Sequence, residues 1–250
     1  MVAKRIIPCL DIKNGEVVKG INFEGLRSVG DAVQMGVEYG RQGADELVYL
    51  DISASKEGRR TFTDLVEKIA RGLNIPFTVG GGISTLEDAA RLLSRGADKI
   101  SVNSAAVARP DLISEIADKY GSQFVVCAID AKKVDGVWKV ATHGGSRLTD
   151  KELFAWAREA QERGAGEILF TSMDHDGTKE GYALEVYERM HRELSIPVIA
   201  SGGAGNIRHI EEVLAPGYAD AALAASIFHF GEISISSLKE RLKERNINVR

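Results

Sequence analysis

The sequence contains little of the material from which metal sites and disulfide frameworks are built. Its two cysteines, Cys9 and Cys127, lie inside apolar runs with no second cysteine or histidine at ligand spacing, so disulfide and zinc readings have little support. Its five histidines are scattered and form no HExxH pattern, which argues against a catalytic metal. We therefore expect two buried, reduced thiols, no metal and no cofactor.

Further absences restrict location and partners. No apolar run approaches the roughly 18 residues that a membrane span needs, and the first ten residues lack the apolar core of a secretory signal. The net charge of −4 carries no nucleic-acid footprint. No proline- or serine-rich linker divides the chain. We expect a cytoplasmic protein without membrane or nucleic-acid partners, folded as a single domain over residues 1–250.

What the sequence does contain is a long internal repeat. The segment 75–107 closely resembles 196–228, RIIPCLDIK (5–13) echoes VVCAIDAK (125–132), and GADELVYLD (43–51) echoes GAGEILFTS (164–172). Each match is offset by about half the chain, which is far longer than the roughly 20–50 residues of a solenoid unit. The repeat predicts two copies of one half-domain, at about 1–121 and 122–250.

Short apolar runs alternate with longer amphipathic segments. The runs are continuously hydrophobic, which is typical of parallel strands buried on both faces. The predicted strands are 5–11, 46–51, 76–80, 98–102, 124–130, 167–172, 197–201 and 219–224. Two helix starts are also indicated, because Glu87 follows Ser84 and Glu152 follows Thr149 at the spacing of a capping box.

Eight strand–helix units in 250 residues predict an α/β fold, a (β/α)8 TIM barrel built from two duplicated half-barrels. An open doubly wound sheet is the alternative. However, the first turn between strand and helix has no G-x-G-x-x-G fingerprint, and the repeat favours closure.

The candidate catalytic residues are two aspartates at strand ends. Active sites of such barrels lie at the C-terminal ends of the strands. Strand one ends in Asp11 and strand five in Asp130, at equivalent positions of the two halves, and paired carboxylates suit general acid and base catalysis. A single strand-final aspartate equally often only caps a turn, but the duplicated placement favours function. Which aspartate is the acid stays open, and Asp51 and Asp176 are weaker candidates.

Two glycine-rich turns predict two phosphate sites. Residues 80–82 follow strand three and residues 201–203 follow strand seven, each just before a helix. Glycine lets backbone N–H groups approach an anion, and the helix N-terminus adds a favourable dipole. A glycine turn alone is a weak signal, but here the arrangement appears twice. We expect an elongated substrate with a phosphate at each end, bound by Gly82, Asn103, Ser104, Gly203 and Ser226.

The connection after strand one, residues 13–30, is long for a barrel loop and is predicted to be a lid. Within it, Lys19 is predicted to hold a phosphate or an anionic intermediate. An ordinary solvated lysine is nearly as good an interpretation of the same residue.

Taken together, these residues resemble the cyclase subunit of imidazole glycerol phosphate synthase. The resemblance covers essentially the whole chain, through segments such as AKRIIPCLD, TVGGGI, GADKISVNSAAV, AIDAK, TSMDHDGTKEGY and ADAALAASIFHFGEI. It implies a bisphosphate intermediate of histidine biosynthesis, to which ammonia adds before one bond is cleaved and an imidazole ring closes. It also implies that Asp11 and Asp130 are catalytic, that Lys19 is the mobile-loop lysine, and that Asp176 and Gly177 help to bind the substrate.

The resemblance further implies a glutaminase partner that supplies the ammonia. Four charges of alternating sign lie at the strand starts, namely Arg5, Glu46, Lys99 and Glu167. They could simply plug the barrel with salt bridges, but in the family they resemble a gate through which ammonia enters. We therefore expect a heterodimer whose glutaminase subunit docks at the N-terminal face of the barrel, with Asp98 as a candidate docking residue.

The chain differs from the family pattern at His175, where many members have arginine, and residues 216–218 add one position before strand eight. Two rival functions are kept open. The first is the isomerase of the same pathway, a similarly duplicated barrel, against which PCLDIKNGEVVKG, AIDAK and the four charges argue. The second is a non-catalytic phosphate-binding scaffold that only activates a glutaminase, against which the two aspartates argue.

Overall fold

A closed parallel barrel forms the centre of the chain. The computed structural model describes residues 2–13, 15–21, 24–52 and 63–250, with the backbone alone for 19–21 and 24–27. In these residues the strands are β1 Arg5–Lys13, β2 Glu16–Ile21, β3 Glu24–Asp31, β4 Leu47–Asp51, β5 Phe77–Gly80, β6 Lys99–Val102, β7 Val125–Val134, β8 Val137–Thr142, β9 Arg147–Glu152, β10 Glu167–Ser172, β11 Val198–Ser201 and β12 Ala221–Ala224. Parallel pairing runs β1–β4–β5–β6–β7–β10–β11–β12 and returns to β1. The predicted (β/α)8 barrel is confirmed.

Helices pack around the outside of the barrel. They are α1 Ala32–Arg41, α2 Thr63–Gly72, α3 Leu86–Ser94, α4 Ser104–Ala108, α5 Asp111–Tyr120, α6 Leu153–Glu162, α7 Leu184–Glu193, α8 Ile207–Leu214, α9 Ser226–His229 and α10 Ile235–Glu244, with a 3₁₀ turn at Ser122–Phe124. Each longer helix buries one apolar stripe against the sheet, as Val66 and Ile69 of α2 illustrate. Among the described residues, no helix has the length and apolar character to cross a bilayer.

Side chains of β1 alternate between the barrel interior and the layer beneath the helices. Ile7 and Cys9 belong to the interior cluster, whereas Ile6 and Leu10 belong to the outer core. Because successive strand residues point to opposite faces, Arg5, Ile7, Cys9 and Asp11 share the inward face. Cys127 lies in the outer core, where burial raises the pKa of its thiol to about 12. Both cysteines are buried, and neither is in a disulfide.

Each half-barrel carries an antiparallel hairpin after its first strand. β2 and β3 follow β1, and β8 and β9 follow β7. Most of the long connection predicted at 13–30 is therefore a hairpin in the described residues, its role as a lid stays a prediction, and β1 and β7 continue beyond Asp11 and Asp130. In the second half, a two-residue turn at 135–136 joins β7 to β8. Asp135 and Gly136 have φ of 49° and 80°, as a tight hairpin turn requires.

Both predicted helix starts need correction. Thr85 and Asp88, one residue later than expected from Ser84 and Glu87, form the capping box of α3. Thr149 lies in β9, where its hydroxyl donates to the carbonyl of Val140 at 2.8 Å. The hairpin thus uses Thr149, and α6 begins only at Leu153, with Glu152 as its cap.

We expect Gly81→Ala to destabilise the barrel far more than Gly43→Ala. The two glycines have nearly the same φ, +97° and +93°, so the backbone strain of a side chain is matched at about 1 kcal/mol. A Cβ at Gly81 would lie 2.2 Å from the carbonyl oxygen of Asp51, whereas a Cβ at Gly43 meets nothing within 4 Å. Urea unfolding measures the difference. Equal losses would show that close packing after β5 is unimportant.

Candidate active site

Asp11 and Asp130 both lie at the C-terminal mouth of the barrel. Asp11 is 7 % exposed and pairs across the sheet with Leu50 of β4. Asp130 pairs with Thr171 of β10. Each lies where the first strand of its half leaves the barrel for its hairpin, so the structure places them at equivalent positions of the two halves. This is the arrangement that the repeat predicts.

Asp130 has an electrostatic environment suited to proton transfer. Burial raises the pKa of its carboxyl to about 6, the hydrogen bond from Asn103 opposes this rise, and the charge of Asp176 adds to it. The Asn103 bond runs from Nδ2 to Oδ2 of Asp130 at 3.0 Å. A carboxyl with a pKa near 6 both gains and releases a proton close to neutral pH, as general acid–base catalysis requires.

The other amide atom of Asn103 is left without a partner. Its Oδ1 is buried and has no hydrogen bond within the described part of the chain. Such an acceptor costs about 1–3 kcal/mol, which a donor group on a bound molecule would recover. Asn103 was predicted to contact phosphate, whereas the structure also couples it to Asp130.

The first predicted phosphate site consists of Gly82, Asn103 and Ser104, and we call it the N-half cradle. Gly82 has φ of 69°, and Ser104 is the first residue of α4. The backbone N–H of His143, at the turn between β8 and β9, donates to Oγ of Ser104 at 2.9 Å. Because this bond uses a lone pair of the oxygen, the hydroxyl proton of Ser104 stays available to an anion.

Asp176 and Gly177, which are predicted to bind the substrate, lie on the loop after β10. The second predicted phosphate site consists of Gly203 and Ser226, and we call it the C-half cradle. Loop six, residues 173–183, packs directly on its glycine turn. Gly181 N–H donates to the carbonyl of Gly203 at 2.8 Å, and a Cβ on Gly203 would lie 2.0 Å from the carbonyl oxygen of Gly181. Ser226 is the first residue of α9, as Ser104 is of α4, so the extra position at 216–218 does not displace it.

Four charged side chains close into a ring at the opposite end of the barrel, and we call it the charge ring. Arg5 bonds Glu46 at 2.8 Å and also bonds Glu167. Lys99 bonds each of these carboxylates at 3.0 Å. Thr78, which the sequence analysis did not single out, donates its hydroxyl to Glu46 at 2.9 Å.

The charge ring is well shielded from water. Glu46 and Glu167 are 3 % and 5 % exposed. Burial lowers the pKa of Arg5, but the carboxylates of Glu167 and Glu46 outweigh this effect and raise it overall. Replacing a buried ion pair by apolar groups is often neutral, whereas removing one partner costs about 3–5 kcal/mol, because it leaves a buried charge uncompensated.

An apolar interior separates the charge ring from the mouth. Its buried members are Ile7, Cys9, Val48, Val126, Leu169, Ile199, Ala221 and Leu223. Asp11 follows Arg5 by six positions along β1, which is about 20 Å along a strand. The two sets of ionisable groups therefore cannot touch each other.

Known proteins with similar sequences identify the family. A family model described as "Histidine biosynthesis protein" matches residues 5–234. Proteins named imidazole glycerol phosphate synthase subunit HisF align with all of this chain over all of their own length. They are 61 % identical in Phocaeicola vulgatus, 58 % in Flavobacterium johnsoniae and 56 % in Elusimicrobium minutum. The chain belongs to this family. The resemblance read from the sequence motifs is thus confirmed.

Three further residues named in the sequence analysis are His175, Lys19 and Asp51. His175 lies on loop six, with its Nδ1 2.7 Å from Oγ of Ser172. Lys19 lies in β2 opposite Arg27 of β3, but its side chain falls outside the described part of the chain. Asp51 is buried at the end of β4. Within the described residues, no cluster of three or more side chains could hold a metal ion.

The titration of Asp130 is expected to respond to its two polar neighbours in opposite directions. Asn103→Leu removes a hydrogen bond that favours the ionised carboxylate, so the pKa of Asp130 should rise above about 6. Asp176→Asn removes a nearby negative charge, so it should fall. The measurement is a carboxyl-carbon NMR titration of the full chain.

Asp174→Asn is the matched control on the same loop, because Asp174 accepts a bond from the backbone N–H of Lys133 at 2.8 Å and is not a cause of the Asp130 shift. If the Asp130 carboxyl of the unmodified chain titrated with a midpoint near pH 4, burial would not raise its pKa and the prediction would be wrong.

Proposed function

We propose that this chain is the cyclase subunit of an imidazole glycerol phosphate synthase, a lyase of histidine biosynthesis that receives ammonia from a glutaminase subunit. The observation that carries the proposal is the placement of two aspartates at one end of the barrel and a closed charge ring at the other. The names of its relatives support the assignment to the synthase.

The two cradles fit a substrate with a phosphate at each end. They follow β5–β6 and β11–β12, which are equivalent strands of the two halves. Strands of equivalent number in a closed eight-stranded barrel lie on opposite sides of the mouth. A bisphosphate bound to both cradles therefore spans the mouth and presents its central atoms to Asp11 and Asp130.

In this proposal the two aspartates move the protons of ring closure. Ammonia adds to the substrate, the bond to the purine-precursor half is cleaved, and the imidazole ring closes. With a pKa of about 6, Asp130 is mostly ionised at pH 7, yet it accepts a proton readily. The unpartnered Oδ1 of Asn103 offers an acceptor to a donor group of the substrate.

The barrel interior is suited to neutral ammonia. Aliphatic side chains and one thiol line it between the charge ring and the mouth. An ammonium ion would lose its hydration there without gaining a partner, whereas the free energy of desolvation is far smaller for neutral ammonia. The charge ring is the polar entrance to this path.

A docking role for Asp98 is supported by comparison with two similar aspartates. Asp45, Asp98 and Asp220 each accept a bond from a backbone N–H of a neighbouring strand. Asp45 and Asp220 are also paired with Lys239 and Lys4, whereas Asp98 is exposed and has no cation within 4.0 Å among the described residues. Asp98 is therefore free to pair with a cation of a subunit bound at the N-terminal face.

Asp11→Asn and Asp130→Asn are each expected to lower ammonium-dependent turnover by at least about 100-fold, the usual loss for a general acid or base. The fold should persist, as thermal unfolding checks, because each change keeps the shape of the side chain. Asp64→Asn, at an aspartate of α2 whose side chain is 90 % exposed, is the control. Near-normal turnover in either active-site variant would remove that residue from the mechanism, and turnover without ammonia would favour the isomerase.

Lys99→Ala should separate chemistry from ammonia supply. Turnover with added ammonium salts should persist, because Lys99 lies at the far end of the barrel from the aspartates. Glutamine-dependent turnover with the glutaminase subunit should change, because the entrance has lost one of its four charges.

Lys239→Ala is the control, since it also removes a lysine paired with a carboxylate near the strand starts, here that of Asp45, and only 12 % of the Lys239 side chain is exposed. If both activities of Lys99→Ala fell in parallel, the charge ring would be a structural plug. If neither changed, its role as a gate would be excluded.

A further inference from the structure

Three buried tyrosines surround the C-half cradle. The phenol of Tyr187, on α7, lies 2.9 Å from the carbonyl oxygens of Phe170 and Ser201 and accepts the N–H of Ser201 at 3.0 Å. Ser201 ends β11, directly before the glycine turn. Tyr182 donates to the carbonyl of Leu223 in β12 at 2.9 Å. Two of the strands that lead into this cradle are therefore held by phenol groups.

The third tyrosine holds the cradle from the other side. Oη of Tyr39, on α1, lies 2.6 Å from Nδ1 of His229 at the end of α9, the short helix that begins with Ser226. Burial raises the pKa of Tyr39, so the phenol keeps its proton and can donate it to the ring. Tyr39 also packs edge-on against Phe228. These contacts fix α9 against α1.

The N-half cradle has no such support at the equivalent described positions. Aligning GADEL (43–47) with GAGEI (164–168) puts Ala160 opposite Tyr39, and aligning 75–82 with 196–203 puts Val66 opposite Tyr187. The counterpart of His229 is Val107. The counterpart of Tyr182 is Thr61, which lies outside the described residues. The tyrosine and histidine side chains around the C-half cradle thus correspond to small or aliphatic side chains around the N-half cradle.

We propose that Tyr39, Tyr182 and Tyr187 are positioning residues that pre-organise the C-half cradle, so that it binds its phosphate more tightly than the N-half cradle. The proposal rests on the two-cradle function proposed above. Binding an anion requires several N–H and hydroxyl donors to be held at fixed positions. A cradle that is already ordered does not lose this freedom on binding, and the saving appears as affinity.

The test is a titration of the full chain with inorganic phosphate, followed by amide NMR at Gly203 and Ser226 and, separately, at Gly82 and Ser104. The C-half signals should reach half-saturation at the lower concentration. Tyr187→Phe should weaken the C-half cradle by about threefold to tenfold, the range expected for one lost hydrogen bond, and leave the N-half cradle unchanged. Tyr39→Phe should act in the same direction and serves if Tyr187→Phe fails to fold.

Tyr49→Phe is the matched control, because it removes a buried phenol that donates to the carbonyl of Ala32 on α1 at 3.1 Å and not to β11, β12 or α9. In ammonium-dependent turnover, the tyrosine variants at the C-half cradle should raise KM for the bisphosphate with kcat maintained, since only binding is weakened.

Equal half-saturation of the two cradles in the unmodified chain would overturn the inference and leave the two-cradle function standing. An equal effect of Tyr187→Phe on both cradles, or the same effect from Tyr49→Phe, would also overturn it, because either would reflect a general loss of stability. Absence of phosphate binding at both cradles would overturn the inference and the two-phosphate function together.

Discussion

Closure of the parallel sheet is the constraint on which the rest of this structure depends. Because β1 pairs with β12 and all eight barrel strands run in one direction, their starts meet at one end and their ends at the other. The alternation of side chains along β1 then places Arg5 and Asp11 on the same inward face, about 20 Å apart. Charge ring, apolar interior and carboxylates are therefore three levels of one set of inward-facing positions.

The two duplicated halves share the same elements, but residues around the candidate site differ between them. Both halves supply an aspartate, a hairpin, a glycine turn and a helix-starting serine. Only the N-terminal half supplies Asn103, which bonds Asp130; its counterpart is Ala225. The C-half cradle is held by Tyr187 of its own half and, through His229, by Tyr39 of the N-terminal half. Asn103 thus affects the charge of a candidate catalytic group, while the tyrosines hold a candidate binding turn in place.

Much of this arrangement was predictable from the sequence, because the repeat marks equivalent positions without any structure. In (β/α)8 barrels the active site lies at the C-terminal ends of the strands. This rule and a comparison of the two copies predict the places of Asp11, Asp130, the glycine turns and the four charges at the strand starts. The hairpins were missed, although Asn14–Gly15 and Asp135–Gly136 are the dipeptides most typical of two-residue hairpin turns. Short, mixed strands such as EVVKGI have little periodicity of their own, so the turn was the only strong local signal.

Contacts between distant side chains were beyond the sequence. Nothing local in the chain links Tyr39 to His229 or Thr78 to Glu46, because each pair depends on how helices and strands pack. The contact between Asn103 and Asp130 was easier to predict from the sequence than these pairs. Their strands, β6 and β7, are consecutive, and consecutive parallel strands usually lie side by side.

The most direct test of the central claim follows the nitrogen itself. The chain and a glutaminase subunit would be supplied with glutamine labelled with ¹⁵N at the amide, together with excess unlabelled ammonium, and the isotope content of the imidazole product would be measured. If ammonia travels from the charge ring through the apolar interior to Asp11 and Asp130, the product should retain the label. A product diluted to the isotope ratio of the bulk ammonium would contradict the account.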